Sequence, residues 1–162
     1  MTQEEKQLEL GKRYLKMAQI WATNSYAIRR KVGCLIVKDS MIISDGVNGT
    51  IPGFSNSCEY VDGLEDQDLS IRELKEAEDI GAKLITKDEV IHAEMNALAK
   101  VAKSTQSCDG ATVYVTLEPC QNCAKHLIMS GIKRVVYADS YHIHDGIKLL
   151  RKANIKVEQI EL

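Results

Sequence analysis

The chain has 162 residues, of which 44% are hydrophobic and 27% charged, the composition of a globular protein with one hydrophobic core. The net charge of -2 excludes the overall basic charge of many nucleic-acid-binding domains. No apolar run approaches the roughly 20 residues of a membrane helix, and residues 1–6 are too polar for a signal peptide. We therefore expect a cytoplasmic protein with no membrane partner. Five cysteines, an odd number, argue against a disulfide framework.

The first part of the chain predicts a helix followed by a β-hairpin. Residues 4–23 place apolar side chains at helical spacing, and we predict that Trp21 packs in the core. Two β-rich runs, 32–37 and 41–44, flank a short turn at 38–40. Arg29 and Arg30 precede the hairpin, either as a solvated edge or as a phosphate clamp, because guanidinium groups offer paired donors.

A loop rich in glycine and proline follows at 46–54. Asn48 lies in this loop, where a side chain after a strand can contact a substrate, although Asn48-Gly49 is also an ordinary turn signal. Residues 55–88 show no strong strand pattern and one polar helix near 70–80. We interpret them as an insertion in a single domain of residues 1–162, since such long connections tend to be functional or flexible.

Strands and helices alternate in the remaining chain. Helices are predicted at 92–103, from Pro119 onward and at 146–153, and strands at 111–116, 134–138 and 155–160. Gly131 and Asn154 are predicted to end two of the helices. This alternation indicates an α/β domain whose mixed sheet combines the antiparallel hairpin with parallel later strands.

Two motifs carry residues suited to metal chemistry. The first is His92-Ala93-Glu94, and the second is Pro119-Cys120-Gln121-Asn122-Cys123. One histidine and two cysteines are three protein ligands for Zn²⁺, leaving the fourth tetrahedral position open as in catalytic sites. Residues two apart on a helix are separated by about 200°. His92 and Glu94 can therefore converge only in a first turn, which predicts that both motifs lie at helix N-termini that meet.

Glu94 is the acid best placed to move protons at such a site. Glu118, which precedes the proline of the second motif, is the rival and is interpreted as a substrate-holding group. A structural zinc knuckle would need a fourth ligand, and no remaining histidine or cysteine has finger spacing. A thioredoxin-type dithiol leaves the His-x-Glu motif without a role. We therefore favour one catalytic Zn²⁺ per chain.

Together with residues 32–37, 46–50 and 130–133, these motifs resemble the cytidine deaminase superfamily, and most closely its deoxycytidylate (dCMP) deaminases. The loop at Asn48 and the downstream Cys58-Glu59 point to the dCMP group. The resemblance implies a three-layer α/β/α fold with a mixed five-stranded sheet. It also implies hydrolysis of dCMP to dUMP and ammonia, with His92, Cys120 and Cys123 binding Zn²⁺ and Glu94 carrying protons.

The same resemblance implies substrate contacts and partners. The Ala93 backbone would touch the pyrimidine, Asn48 the sugar, and Arg29, Arg30 or Tyr141 the 5′-phosphate. The partners implied are a small nucleotide substrate, further copies of the chain, with a hexamer favoured, and dCTP and dTTP as effectors, accompanied by Mg²⁺.

Two other functions remain open. Residues 116–120, Thr-Leu-Glu-Pro-Cys, also resemble deaminases of free bases, nucleosides and tRNA, which keeps another cytosine or adenine substrate as an alternative. The acidic stretch 59–78 could instead be the interaction surface of a non-catalytic zinc module. The low aromatic content of 5% and the acidic balance disfavour nucleic acid as a substrate.

Overall fold

The computed structural model describes every residue, Met1–Leu162, and is organised around a five-stranded sheet. The helices are α1 (Gln3–Ala22), α2 (Ile71–Asp79), α3 (Ala93–Ala102), α4 (Gln121–Met129) and α5 (Asp145–Lys152). The strands are β1 (Gly33–Lys38), β2 (Met41–Val47), β3 (Gly49–Thr50), β4 (Glu59–Val61), β5 (Leu84–Thr86), β6 (Val90–Ile91), β7 (Thr112–Leu117), β8 (Arg134–Asp139) and β9 (Lys156–Gln159).

The main sheet has the strand order β2-β1-β7-β8-β9. Strand β1 pairs antiparallel with β2 and β7, whereas β7, β8 and β9 are parallel. The hairpin turn has positive φ at Asp39 and Ser40, which suits the right-handed twist of paired strands. These pairings confirm the predicted mixed five-stranded sheet.

Helices cover both faces of the sheet. On β1, Leu35 and Val37 pack with Leu15 of α1, while Cys34 and Ile36 belong to the larger core under α3, α4 and α5. Successive strand residues point to opposite faces, so β1 contributes to both layers. The predicted three-layer α/β/α arrangement is confirmed. No helix has both the length and the apolar composition that a membrane span requires.

The segment 55–88 differs from the prediction, which gave it no strands. Strands β4 and β5 pair antiparallel, with Glu59 opposite Thr86, and α2 lies between them in sequence. Each strand has only three residues, too few to show an alternating pattern, so their pairing is decided by tertiary contacts. A second small ribbon joins β3 to β6.

Trp21 was predicted to pack in the core, and this prediction is wrong. Its side chain is 42% exposed and its indole Nε1 donates to Asp45 at 2.8 Å. The buried stripe of α1 runs through Gly11, Leu15 and Ala18 to Ala22, one position further on. At this exposed position the indole N–H bonds to Asp45 of the edge strand β2.

Candidate active site

Two helix N-termini bring the metal-binding side chains together. His92 is the residue before α3 and Cys120 the residue before α4, and both have extended backbones. Cys123 lies in the first turn of α4. The Nδ1 atom of His92 is 3.5 Å from Sγ of Cys120 and 3.4 Å from Sγ of Cys123. The first turns of α3 and α4 therefore meet, as the spacing argument predicts.

These distances fit a tetrahedral zinc site. Zinc bonds of about 2.3 Å to sulfur and about 2.0 Å to nitrogen place the nitrogen and sulfur ligands about 3.5 Å apart. The three ligand atoms all lie within 4.8 Å of one another, and no fourth histidine, cysteine or acid belongs to the group. The set resembles a catalytic zinc centre, which keeps one position open, and not a four-ligand structural site.

The two thiols of the cluster differ in acidity. Hydrogen bonds from the Cys123 and His92 side chains lower the pKa of Cys120 to about 3. The hydrogen bond to Cys120 and burial raise the pKa of Cys123 above its usual range. The hydrogen bond to Cys120 also raises the pKa of His92. The cluster thus holds protons that a bound divalent cation displaces, because metal ligands must be deprotonated.

Glu94 lies beside the cluster in the first turn of α3 and is buried. Burial is the largest influence on this carboxyl group and raises its pKa to about 7. A carboxyl group with a pKa near neutrality can both accept and release protons at physiological pH. The position and the acidity of Glu94 therefore suit a proton carrier.

Two glycines allow the close packing that holds the motifs. A Cβ at Gly46 of β2 would lie 2.1 Å from the backbone oxygen of Ala93. A Cβ at Gly146 of α5 would lie 2.0 Å from the backbone oxygen of Pro119. Neither contact is possible for a residue with a side chain, so both halves of the cluster rest directly on neighbouring backbone.

A cavity of about 290 Å³ opens over the cluster. Its walls include nine of the ten residues that the sequence identifies as candidates, and the tenth, Cys123, is buried in α4. The nine are Arg29, Arg30, Asn48, His92, Ala93, Glu94, Glu118, Cys120 and Tyr141. The segment between α1 and β1, the loop after β2, and the starts of α3 and α4 thus converge on one site.

The two arginines are exposed and are held by neighbouring groups. Arg30 forms an ion pair with Asp139 at 2.9 Å, and Arg29 donates to Oγ1 of Thr86 at 3.3 Å. Asn48 accepts from the backbone N–H of Val32 and donates to the carbonyl of Arg30, both at 2.8 Å. The Asn48 amide therefore ties the arginine segment to the loop after β2.

Glu118 is buried and supports the loop that carries Tyr141. Its carboxylate accepts a hydrogen bond from the backbone N–H of Tyr141, and both oxygens lie 3.0 Å from Nδ1 of His144. The Tyr141 side chain is 44% exposed, and the burial of the rest of it raises the pKa of its hydroxyl group. The sequence offers no signal for the pairing of Glu118 with His144, because 26 residues separate them.

Glu59 is a cavity residue to which the sequence assigned no role. Its side chain is buried, and Oε1 accepts from the backbone N–H groups of Ile28 at 2.9 Å and Arg29 at 3.1 Å. Its Oε2 has no hydrogen-bond partner. The Cys58-Glu59 pair was a feature of the resemblance, but its place in the wall depends on the β4–β5 pairing.

Comparison with known proteins agrees with this geometry. The family model for the cytidine and deoxycytidylate deaminase zinc-binding region matches residues 8–139. The chain is 34% identical to the deoxycytidylate deaminase of enterobacteria phage T4, over 88% of this chain and 86% of the relative. It is 35% identical to ComE operon protein 2 of Bacillus subtilis, over 92% and 70% of the two chains.

A solved structure is similar over almost the full length. The crystal structure of dCMP deaminase from the cyanophage S-TIM5, in complex with dCMP and dUMP, aligns with a TM-score of 0.77 and 36% identity. The alignment covers 99% of each chain. The chain therefore belongs to the cytidine and deoxycytidylate deaminase family.

Proposed function

We propose that the protein hydrolyses dCMP to dUMP and ammonia with one catalytic Zn²⁺. The observation that carries the proposal is that the His92 cluster, Glu94 and two arginines line one cavity, with the arginines at its rim. Arginine pairs well with phosphate because its planar fork matches two phosphate oxygens. The similarity to dCMP deaminases over nearly the whole chain supports the same substrate.

The metal fits the ligand set. Zinc bound by His92, Cys120 and Cys123 supplies a Lewis acid that lowers the pKa of a water molecule toward neutrality. Glu94 takes a proton from the attacking water and delivers it to the pyrimidine N3. It then passes a second proton to the departing amine. A C4–O bond forms, the C4–N bond breaks, and one water and one dCMP become one dUMP and one ammonia.

The residues that line the cavity determine the orientation in which the substrate binds. C4 of the pyrimidine must reach the cluster, where Ala93 lines the wall, so the phosphate points toward the exposed rim with Arg29 and Arg30. Tyr141 lies at the same cavity on the loop that Glu118 holds. A sugar contact by Asn48 depends on its one uncommitted amide N–H.

A substrate panel tests the proposal. The purified protein is assayed with dCMP, CMP, deoxycytidine, cytidine, cytosine and tRNA, and kcat/KM is compared. We expect kcat/KM to be higher for dCMP than for deoxycytidine, and higher for CMP than for cytidine, because only a monophosphate can engage the arginines at the rim. We expect the highest value for dCMP, because the similar proteins are dCMP deaminases. A preference for an unphosphorylated substrate would contradict the proposal. A preference for tRNA would support the alternative nucleic-acid reading.

We also propose a homo-oligomer, with a hexamer favoured, that responds to dCTP and dTTP in the presence of Mg²⁺. Resemblance to the dCMP deaminases supports these features. Light scattering measures the mass of the particle in solution. Deamination rates with and without each triphosphate and Mg²⁺ measure the response, and a monomer with unchanged rates would contradict both features.

A further inference from the structure

The segment 55–88 forms one wall of the catalytic cavity. Its β4–β5 ribbon places Thr86 opposite Glu59, and both residues line the cavity together with Cys58. Lys87, which directly follows β5, forms an ion pair with Asp68 at 3.1 Å. Glu59 therefore lines the cavity, and its carboxylate forms no ion pair with Lys87.

The other carboxylate and amide side chains of the cavity already have partners or lie at the metal cluster. Glu94 lies at the metal cluster, and Glu118 is engaged by Tyr141 and His144. Both polar atoms of Asn48 already bind backbone groups. Oε2 of Glu59 is the one buried side-chain nitrogen or oxygen of the molecule without a partner. Leaving a buried acceptor unpaired is unfavourable, which points to a donor supplied from outside the chain.

When a nucleotide occupies the cavity, the part of it that faces this wall can supply the donor. A deoxynucleoside monophosphate carries two kinds of hydrogen-bond donor, the amine at C4 and the hydroxyl at C3′. The amine is at the reaction centre beside Glu94, and the 2′ position has no hydroxyl group. The phosphate carries negative charge and belongs with the arginines. The hydroxyl at C3′ is the remaining donor.

We propose that Glu59 recognises the 3′-hydroxyl of the substrate sugar through Oε2. This inference rests on the proposed function, because it places a cytosine nucleotide in the cavity. Oε1 stays on the backbone N–H groups of Ile28 and Arg29, so the carboxylate is held in a fixed orientation. Glu59 is a specificity residue, and the segment 55–88 is part of the substrate site.

The test combines Glu59→Gln with changes at C3′ of the substrate. The variant keeps the shape of the side chain and one oxygen for the two backbone N–H groups, but turns a charged acceptor into an amide donor. We expect kcat/KM for dCMP to fall roughly tenfold to hundredfold, the effect of losing one hydrogen bond to a charged group. With the 3′-deoxy analogue, we expect the wild type and the variant to be nearly equal.

The 3′-fluoro analogue gives a readout that poor folding cannot imitate. Fluorine cannot donate a hydrogen bond and is repelled by a carboxylate, whereas an amide N–H tolerates it. Glu59→Gln should therefore lower the ratio of kcat/KM for dCMP to that for the 3′-fluoro analogue. Glu76→Gln is the matched control, because this exposed acid lies on α2 in the same segment and should leave the ratio unchanged.

Equal losses on all three substrates would overturn the inference and leave Glu59 as a support for the Ile28–Arg29 backbone. No loss on any substrate would overturn it as well. The result is separable from the proposed function. If the wild type prefers deoxycytidine to dCMP, the proposed substrate is wrong, and the same 3′ series made on deoxycytidine still tests Glu59.

Discussion

At the scale of single residues, Glu94 combines three properties that acid–base catalysis needs. It is buried, it lies beside the metal cluster, and its pKa is about 7. His92 lies two residues earlier, yet both side chains reach one site because they occupy the start of α3. Within the proposed reaction, the place and the acidity of Glu94 both suit proton transfer.

We predict that Glu94→Gln lowers kcat for dCMP by roughly 10²–10⁴-fold, the usual contribution of a general acid–base group. Its zinc content should equal that of the wild type, because the three ligands are untouched. Steady-state kinetics and metal analysis on the same preparation provide the check. Full activity in this variant would show that another group carries the protons, and loss of zinc would show that Glu94 supports the metal instead.

At the scale of elements, the contact between α5 and the start of α4 holds the cysteine motif. Gly146 sits against the Pro119 and Cys120 backbone, where even one added carbon meets atoms at 2.0 and 2.9 Å. We predict that Gly146→Ala lowers the free energy of unfolding by about 1–3 kcal/mol, the typical cost of overpacking. It should also weaken zinc binding, because Cys120 must move.

Denaturant unfolding and competition for zinc with a chelator measure these two effects. Gly49→Ala is the control, because a Cβ at Gly49 meets nothing within 4 Å. Gly146→Ala with unchanged stability and zinc affinity would show that α5 and the cysteine motif can move apart freely.

At the scale of the whole molecule, a cation bound by His92, Cys120 and Cys123 links the start of α3 to the start of α4. Ligand binding to the folded state alone stabilises a protein by mass action. We predict that free Zn²⁺ at about 100 times its Kd stabilises the protein by about 2.7 kcal/mol. Thermal unfolding of chelated and zinc-loaded protein should show a higher Tm with zinc. The Cys123→Ser variant should lose most of this difference, and an equal response in both would place the zinc elsewhere.

Local patterns in the sequence predict much of the fold. Helical spacing and strand alternation located the hairpin and the three later strands, and helix-ending residues agree with positive φ at Gly131 and Asn154. The 200° argument for His92 and Glu94 predicted helix N-termini at the site, which the structure shows. These features depend on residues close in sequence, so the sequence determines them directly.

Other features depended on contacts between distant segments. The pairing of β4 with β5, the place of Trp21 at the edge of β2, and the bond between Glu118 and His144 join residues that share no sequence pattern. The sequence by itself determined the metal-binding set and the class of fold, because both rest on fixed spacings. Only the tertiary structure decided that Glu59 faces the cavity with a free oxygen, because that position follows from a short ribbon folding back over the active site.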